Sequence, residues 1–380
     1  MLRKPFTEEQ DMFRESYRRF VEREIMPNAE RWRENGIVDR ETFAKAGAQG
    51  FLLTWADEKY GGAGLADFRY EQIIIEENAR GMEAGFFNTL HSRLVAPYLQ
   101  NFGTEEQKDR FLPKCVSGEC ILGIAMTEPD AGSDLAGMKA RAEDKGDYWL
   151  LNGSKTYISN GINADLVIVA AKTDPENPRR IGLFLVERGM EGFERGRKLK
   201  KMGMHAQDTA ELFFNNVIIP KANVLGDAHK GFRYLFHGLA EERLISAVSC
   251  VAAAETAFSV TKEFIQQRKA FGVRIADFQN TRFKMADMRA EIDCAQVFVD
   301  RCVELHNEGH LTIDLAAKAK LFASEMQGRV VDQCVQFHGG AGYMEEYPIC
   351  RMYTDSRINR IWAGSSEIMR ELIARSIFDV

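Results

Sequence analysis

Glu241, Glu242 and Arg243 stand side by side, and the eleven residues after them, Leu244 to Ala254, carry no charge. A helix of that composition is mostly buried, so the acids at its start are candidates for proton transfer. A carboxylate carried into apolar surroundings has its pKa raised and becomes an effective base near neutrality. At about 100° per residue, Ala240, Leu244, Ile245, Val248, Val251 and Ala252 share a broad apolar arc. Glu241 falls inside that arc. Glu242 falls opposite it with Ser246, Ser249 and Ala253, a face of small residues that a flat ligand can approach closely. Periodicity alone leaves both open, with Glu241 as a buried acid paired to a Lys or Arg, or Glu242 as the acid facing a ligand. The usual fate of a glutamate is a solvated or ion-paired carboxylate.

Other stretches hold chemistry-bearing residues in irregular or glycine-rich settings. "GIAMTEPDAGSD", Gly123 to Asp134, is a loop whose backbone N–H groups are suited to a carbonyl or a phosphate, although plain connecting loops look the same. "RKAFG", Arg268 to Gly272, ends a helix with a cation and an aromatic. An arginine there clamps a pyrophosphate or is simply a solvated helix end. "QFHGGAGYMEEYP", Gln336 to Pro348, places Gly339 and Gly340 after a helix, where they permit close backbone approach or form a helix C-cap. "FERGRKLKKMGMH" has five cations between Arg195 and Lys201, which suit the phosphates of a ligand but read more readily as a solvated strand or turn. His205 carries no catalytic role in this reading, and His338 is packed rather than reactive.

The elements that must position these residues run in three blocks. The first third is helical, with "TEEQ" at Thr7–Gln10 and again at Thr104–Gln107 as capping boxes and "KYGGAGL" as a loop between helices. Near Ile121 the pattern turns to strands. "DYWLLNGSKTYISNG" reads as a hairpin about an Asn152-Gly153 turn, followed by "ADLVIVAAKT", "IGLFLVERG" and "TAELFFNNVIIP". After Leu225-Gly226 long helical patterns return, one ending at Gly309. Helices, strands, helices is a segregated order, hence α+β rather than alternating βαβ units. The expected domains are 1–121, 122–227 and 228–380: an N-terminal helical domain, a middle antiparallel β domain and a C-terminal helical domain. The 380 residues suit two or three domains. A net charge of -6 argues against nucleic acid. Seven scattered cysteines without a Cys-x-x-Cys argue against a disulfide frame or a metal site and for a reducing compartment. No signal peptide, transit segment or spanning apolar run is evident, so the expectation is cytoplasmic, or the mitochondrial matrix for a processed chain, without stable membrane insertion.

Five motifs in order, "GIAMTEPDAGSD", "TYISNG", "KMGMHAQDTAELFF", "QRKAFG" and "QFHGGAGYMEEYP…RINRIWAGSSEIMRELIAR", give the chain a close resemblance to the acyl-CoA dehydrogenase family. The resemblance covers nearly the whole length. It is nearest to the long-chain members, with isovaleryl-type enzymes next. It implies that the C-terminal helical domain is a four-helix bundle, with FAD held between it and the β domain and across a subunit interface. It implies that Ile124, Met126, Thr127, Gly132 and Ser133 border the flavin, with Thr127 bonding through its backbone. Tyr157, Ile158 and Ser159 take the place where the family has an aromatic, Ile and Thr, so the Tyr covers one flavin face. Arg268, Phe271 and Gln279 are implied to hold the pyrophosphate and adenosine of a neighbouring subunit's FAD, with Gln336, Gly339 and Gly340 closing over the same cofactor. Ser365 and Glu367 stand in the family's Thr-Ser-Gln or Thr-Ser-Glu stretch.

The resemblance also exposes a departure. Many members place their catalytic glutamate in a Tyr-Glu-Gly step, and here the step reads Trp362-Ala363-Gly364. Long-chain and isovaleryl-type members carry the base in a Glu-Arg-Leu step instead, which is Glu242-Arg243-Leu244 here. The implied reaction is α,β-dehydrogenation of an acyl-CoA to the trans-2-enoyl-CoA. Glu242 takes the α-proton, the backbone N–H of Ala363 helps polarise the thioester carbonyl, and flavin N5 takes the hydride. Arg243 orients the site or the CoA, or forms a structural ion pair. The substrate is implied to lie against Ser133, Leu239, Ala240, Arg243, Ala363 and Gly364, with the small Ala363 leaving room for a long or branched chain. An electron-transferring flavoprotein as acceptor and a homotetramer, as a dimer of dimers, come with the family. An oxygen-using oxidase and a non-catalytic acyl-CoA or FAD-binding protein are the alternatives.

Overall fold

The computed structural model describes residues 3–378. Met1, Leu2, Asp379 and Val380, the outer ends of the expected 1–121 and 228–380 segments, lie outside the described residues. The first block holds helices α1 (Glu8–Phe20), α2 (Ala29–Asn35), α3 (Arg40–Ala48), α4 (Arg69–Arg80), α5 (Ala96–Phe102) and α6 (Glu105–Ser117). Both capping boxes form. Thr7 and Gln10 start α1 reciprocally, and Thr104 and Gln107 do the same for α6, each satisfying two otherwise orphaned N–H groups. Gln107 also reaches the carbonyls of Ala222 and Val224 at 2.7 and 2.8 Å, so this cap ties the helical block to the end of the sheet region. A π-helical turn, Leu90–Val95, leads into α5. Pro97 lacks the N–H that would close the regular ladder there, and the wider turn accommodates the loss.

The middle block is one sheet of seven strands: β1 (Leu122–Ala125), β2 (Arg141–Asp144), β3 (Tyr148–Ser159), β4 (Leu166–Lys172), β5 (Ile181–Glu187), β6 (Phe193–Lys198) and β7 (Thr209–Pro220). Its order is β1-β4-β2-β3-β7-β6, with β5 on β4. Pairs β2–β3, β3–β7, β4–β5 and β6–β7 are antiparallel as expected. The pairs β1–β4 and β2–β4 are parallel, so the sheet is mixed. The hairpin expected about Asn152-Gly153 is corrected. β3 runs straight through that dipeptide with a bulge against β7, and the actual reversal is Lys145–Asp147, between β2 and β3. Gly153 is needed for space. A Cβ there would meet Ala140 Cβ at 2.6 Å, and its φ is +143°. β4 is buried on both faces, with Leu166, Ile168 and Ala170 packed toward the helical block and Val167, Val169 and Ala171 toward the sheet's own core.

The last block has α7 (Gly231–His237), α8 (Leu239–Gln267), a two-stranded hairpin β8–β9 (Lys269–Ala270, Val273–Arg274), α9 (Gln279–Asn307), α10 (Ile313–His338), α11 (Pro348–Ser356) and α12 (Ser366–Phe378). Leu244, Ala247, Val248 and Val251 of α8 form one core with Ile292 and Val299 of α9 and Ala319, Ala323 and Val330 of α10. Gly231–Gln267 is long and apolar enough, by length and composition, to cross a bilayer, contrary to expectation. Its most apolar window is 61% buried inside the protein, as suits the central helix of a bundle.

Candidate active site

The first turn of α8 separates its two carboxylates. Glu241 faces α9 and the π-helical turn. Arg93 Nε lies 2.7 Å and His306 Nε2 2.8 Å from its oxygens. Burial pushes its carboxyl up, but the His306 hydrogen bond and the Arg93 charge more than offset this and hold it below the usual range. Glu242 points the other way, toward α5. The Tyr98 hydroxyl donates to its Oε1 at 3.3 Å, and no cation pairs with it among the described residues. Burial pushes its pKa up to about 7, against the pull of the Tyr98 bond and the Arg243 charge, and Glu241 adds to the rise. Of the two fates that periodicity left open, the ion pair belongs to Glu241 and the raised acid is Glu242.

Arg243 is 4% exposed, and its Nε and Nη1 have no hydrogen-bond partner among the described residues. Buried unsatisfied guanidinium nitrogens are rare and mark either strain or a place for a ligand or water. Leu239 and Ala240, beside them in the first turn, are half-buried.

A second element meets α8 at the Trp362–Ser365 turn. Ala363 has φ +50° and Gly364 φ +89°, two successive residues in the left-handed region. Among the described residues the Ala363 N–H donates to no backbone carbonyl. The Trp362 ring stacks on Phe87 at 5.4 Å. Ser249 and Ala253, on the Glu242 face of α8, line a cavity with Ile75, Met82, Phe87 and Trp362. Its volume is about 130 Å³. The small-residue face of α8 therefore leads from Glu242 into apolar space beside the turn. Ser365 accepts the Ile368 N–H at 3.3 Å as the cap of α12, and Glu367 is exposed in the first turn of that helix.

The β block contributes Ile124 from β1 and the loop after it. This loop is fixed from beneath by Lys155, 1% exposed, whose Nζ donates to Met126 O at 3.0 Å and Glu128 Oε1 at 2.8 Å. Met126 and Thr127 are half-buried above that pair, while Gly132 and Ser133 are exposed. Tyr157 sits in a β-bulge with φ +59° and is 68% exposed, with Ile158 buried and Ser159 half-buried beside it. A bulge that turns an aromatic out of a sheet is a common way of presenting it to a ligand.

Arg268, Phe271, Gln279, Gln336, Gly339 and Gly340 form a different group. All are exposed around the β8–β9 hairpin and the end of α10, with Phe271 97% exposed at φ +52°. Arg268 follows the last residue of α8, whereas Glu242 is in its first turn. At a rise of about 1.5 Å per residue they lie roughly 38 Å apart, too far to serve one ligand within this chain.

The basic run, expected to be solvated, is so only in part: Arg197, Lys198 and Lys200 are exposed. Arg195 donates to Gly161 O and Ala164 O at 3.0 and 2.8 Å, and Lys198 and Lys201 donate to the carbonyls of Asn35 and Gln207. His338 stacks on Phe264 at 4.1 Å and donates to or accepts from nothing reactive, its Nδ1 lying on Cys334 O at 2.8 Å.

Sequence reasoning missed Tyr98, Arg93, His306, Phe87 and Lys320. Nothing local distinguishes Tyr98 or His306. Lys320 left a signal, because it shares a helical face with Ala316, Ala317, Ala323 and Ser324, an unusual stripe for a lysine.

Known proteins resemble this chain along nearly its whole length. Family models described as the N-terminal, middle and C-terminal domains of acyl-CoA dehydrogenase match residues 7–119, 123–217 and 229–378. The rat (Rattus norvegicus) mitochondrial long-chain specific acyl-CoA dehydrogenase is 48% identical over 379 residues, covering 99% of this chain and 88% of that protein. The crystal structure of an acyl-CoA dehydrogenase from Geobacillus kaustophilus superimposes with a TM-score of 0.96 at 48% identity, covering 99% of each chain. A glutaryl-CoA dehydrogenase from Mycobacterium smegmatis in complex with FADH2 superimposes at 0.92 with 27% identity, covering 99% of this chain and 96% of that one. Three consecutive domain matches and near-complete coverage at this identity leave one assignment: the chain belongs to the acyl-CoA dehydrogenase family.

Proposed function

We propose that this protein is an FAD-dependent acyl-CoA dehydrogenase that oxidises an acyl-CoA thioester to the trans-2-enoyl-CoA with Glu242 as its base. The observation that carries this reading is the asymmetry of the two glutamates. One carboxylate in the first turn of α8 is neutralised by Arg93 and His306, and the other has a pKa raised to about 7, on the same face of the helix that lines a cavity two turns further on through Ser249 and Ala253. A base whose pKa lies near the working pH combines a useful deprotonated fraction with a strong pull on the proton.

The residues present fit the cofactor. Tyr157 offers an exposed ring at the bulge, and Ile124, Met126, Thr127, Gly132, Ser133, Ile158 and Ser159 surround that place. Gly339 and Gly340 have nothing within 4 Å of where a Cβ would be, a bare backbone that a nucleotide can lie against. Arg268, Phe271, Gln279 and Gln336 accompany them, with Ser365 and Glu367 at the α12 terminus. Because this group lies at the far end of α8 from Glu242, each FAD is held by two chains. When bound, FAD supplies the acceptor for the hydride that leaves the β-carbon.

The chain's own residues do the rest. The acyl chain enters the cavity along Ser249 and Ala253, which expels water and strengthens every charge interaction near Glu242. The Ala363 N–H donates to the thioester oxygen, so charge that develops there as the α-proton leaves is met by a prepositioned donor. Glu242 receives the proton on a carboxylate oxygen while Tyr98 holds the other end of the group in place. Arg243, with two nitrogens unpartnered among the described residues, is available to orient the site or the CoA, and Ser133, Leu239, Ala240 and Gly364 border the substrate. The 48% identity to a long-chain specific relative supports a long acyl chain, and the small Ala363 leaves room for a branched one. Electron-transferring flavoprotein as acceptor, a homotetramer, domain limits at 121/122 and 227/228, and a cytoplasmic or matrix location complete the proposal.

The deciding experiment is an anaerobic titration of the FAD-loaded protein with straight-chain and branched acyl-CoA, following flavin absorbance. Bleaching is expected with a long-chain thioester. An unchanged spectrum with every acyl-CoA, straight or branched, would defeat the reading.

A further inference from the structure

Among the described residues Lys320 is the one fully buried lysine besides Lys155, and the two are held differently. Lys155 has a carboxylate, Glu128, at 2.8 Å. Lys320 has none within ion-pair distance among the described residues. It stands 0% exposed in the middle of α10, among Ala316, Ala317, Ala323 and Ser324. Its Nζ donates to the carbonyl of Gly364 at 2.7 Å. An ammonium buried without a counter-charge is costly to keep. Burial accordingly pulls its pKa down to about 8; Cys250, Glu325 and Glu367 act to raise it and Arg243 to lower it.

The group it holds is unusual. A non-glycine residue at positive φ costs roughly 1–3 kcal/mol and persists only where its surroundings fix it. Ala363 is such a residue, and Gly364 after it is in the same region. On one side, Trp362 is pinned by its stack on Phe87. On the other, Ser366 Oγ donates to Glu325 Oε1 at 2.8 Å and Ser365 caps α12. Between these anchors, the Lys320 bond is the contact that sets the peptide following Gly364, and so the torsions that aim the Ala363 N–H.

We propose that Lys320 is a positioning residue for the reaction: by holding the Gly364 carbonyl it fixes the Ala363–Gly364 turn so that the Ala363 N–H points at the thioester oxygen. This rests on the function proposed above. It requires a donor at position 320, and the α-proton's acidity in the bound thioester depends on it.

The test uses the FAD-loaded holoenzyme, Lys320→Met and Lys320→Gln. Methionine keeps the length and removes the donor, and glutamine keeps an N–H for the Gly364 carbonyl. Besides kcat and KM, the readout is a 3-thiaacyl-CoA probe. Its β-sulfur lets it lose the α-proton while giving up no hydride, and the deprotonated bound form absorbs at long wavelength. The expected result for Lys320→Met is a kcat lower by about 10²-fold at near-unchanged KM, the loss typical of a missing oxyanion donor. The pH midpoint of the probe's band rises by about 1–2 units, and Lys320→Gln recovers at least about tenfold of the lost kcat. A Lys320→Met enzyme with the wild-type midpoint and turnover overturns the proposal, and so does a Lys320→Gln enzyme as impaired as Lys320→Met. If Lys320→Met does not fold or hold FAD, Lys320→Gln decides: near-normal turnover supports positioning, and loss of FAD from both variants makes Lys320 a structural residue only. Absence of any band in the wild-type enzyme counts against the dehydrogenase reading itself and is thereby told apart.

Discussion

The Tyr98 hydroxyl lies 3.3 Å from Glu242 Oε1, and the same hydroxyl is 3.4 Å from the carbonyl of Leu235. Tyr98 is 3% exposed. A buried phenol is thus the direct partner of the carboxylate, and it reaches that carboxylate from a helix more than a hundred residues earlier in the chain. The contact orients the proposed base without neutralising it. A lysine or arginine in the same place would drive the carboxyl pKa down and leave a weaker base at neutral pH.

Replacing Tyr98 by Phe removes the donor to the carboxylate while keeping the ring. The hydrogen bond lowers the Glu242 pKa, so its loss raises it further. A long hydrogen bond to an ionised carboxylate contributes about 1.5 kcal/mol, roughly one pH unit. The acid limb of kcat/KM against pH is expected to move up by that amount, with the plateau at high pH nearly unchanged. An unmoved limb would show that Tyr98 serves packing alone.

Glu242→Gln tests the base by turnover and by stability. Turnover falls by at least about 10²-fold, with FAD and acyl-CoA still bound. The sign of the stability effect follows from a carboxyl whose folded pKa, about 7, lies above its ordinary value of 4.5. The folded protein then binds more protons than the unfolded chain between those values, so this group's contribution to stability is fully present below about pH 4.5 and is lost as pH rises through about 7. Glutamine carries no such dependence. The Tm of Glu242→Gln should exceed the wild-type Tm at pH 8, and the gap should narrow at pH 5. Unchanged turnover would revive the reading of a non-catalytic binding protein.

How far the sequence reaches is shown by these same residues. The three-block order, both capping boxes and the ends of the long helices follow from local patterns, because caps and periodicity act over a few residues. The Asn152-Gly153 dipeptide misled for an instructive reason. The same glycine freedom that makes a tight turn also makes a bulge, and only the approach of Ala140 from β2's leading edge decides between them. The split between Glu241 and Glu242 depended on Arg93, His306 and Tyr98, all remote in sequence, so the helical wheel stopped at two alternatives. Resemblance pointed to Glu242, and tertiary contacts supply the physical reason.

Glu241→Gln is expected to act in two directions at once. Removing the neighbouring negative charge lowers the Glu242 pKa, so the acid limb of the activity profile moves to lower pH. The same change leaves Arg93 and His306 without their carboxylate, and the α8–α9 contact loses roughly 1–3 kcal/mol, a partly buried pair lying between the surface and interior cases. Thermal unfolding and a pH–rate profile on one variant would read both. Loss of the acid limb together with turnover would mean that Glu241, and not Glu242, is the group being titrated.

The separation of Glu242 from Arg268 along α8 makes the strongest demand on quaternary structure. If each FAD is held by Glu242's surroundings in one chain and by Arg268 and Phe271 of another, then two defective chains can complement each other. Glu242→Gln lacks a base but keeps Arg268. Arg268→Ala keeps the base and loses the guanidinium at the exposed end of the helix. Each variant alone is expected to be nearly inactive, the second because FAD is held weakly. In an assembly containing both, the site that combines an intact Glu242 with an intact Arg268 is whole, and its partner site lacks both. Co-expression with two different affinity tags, followed by tandem purification of the mixed species, should restore about half of the wild-type turnover per mixed pair, as one site in two is intact. If both groups instead served the same FAD from one chain, every site in the mixed species would still carry one lesion and activity would stay at the level of the separate variants.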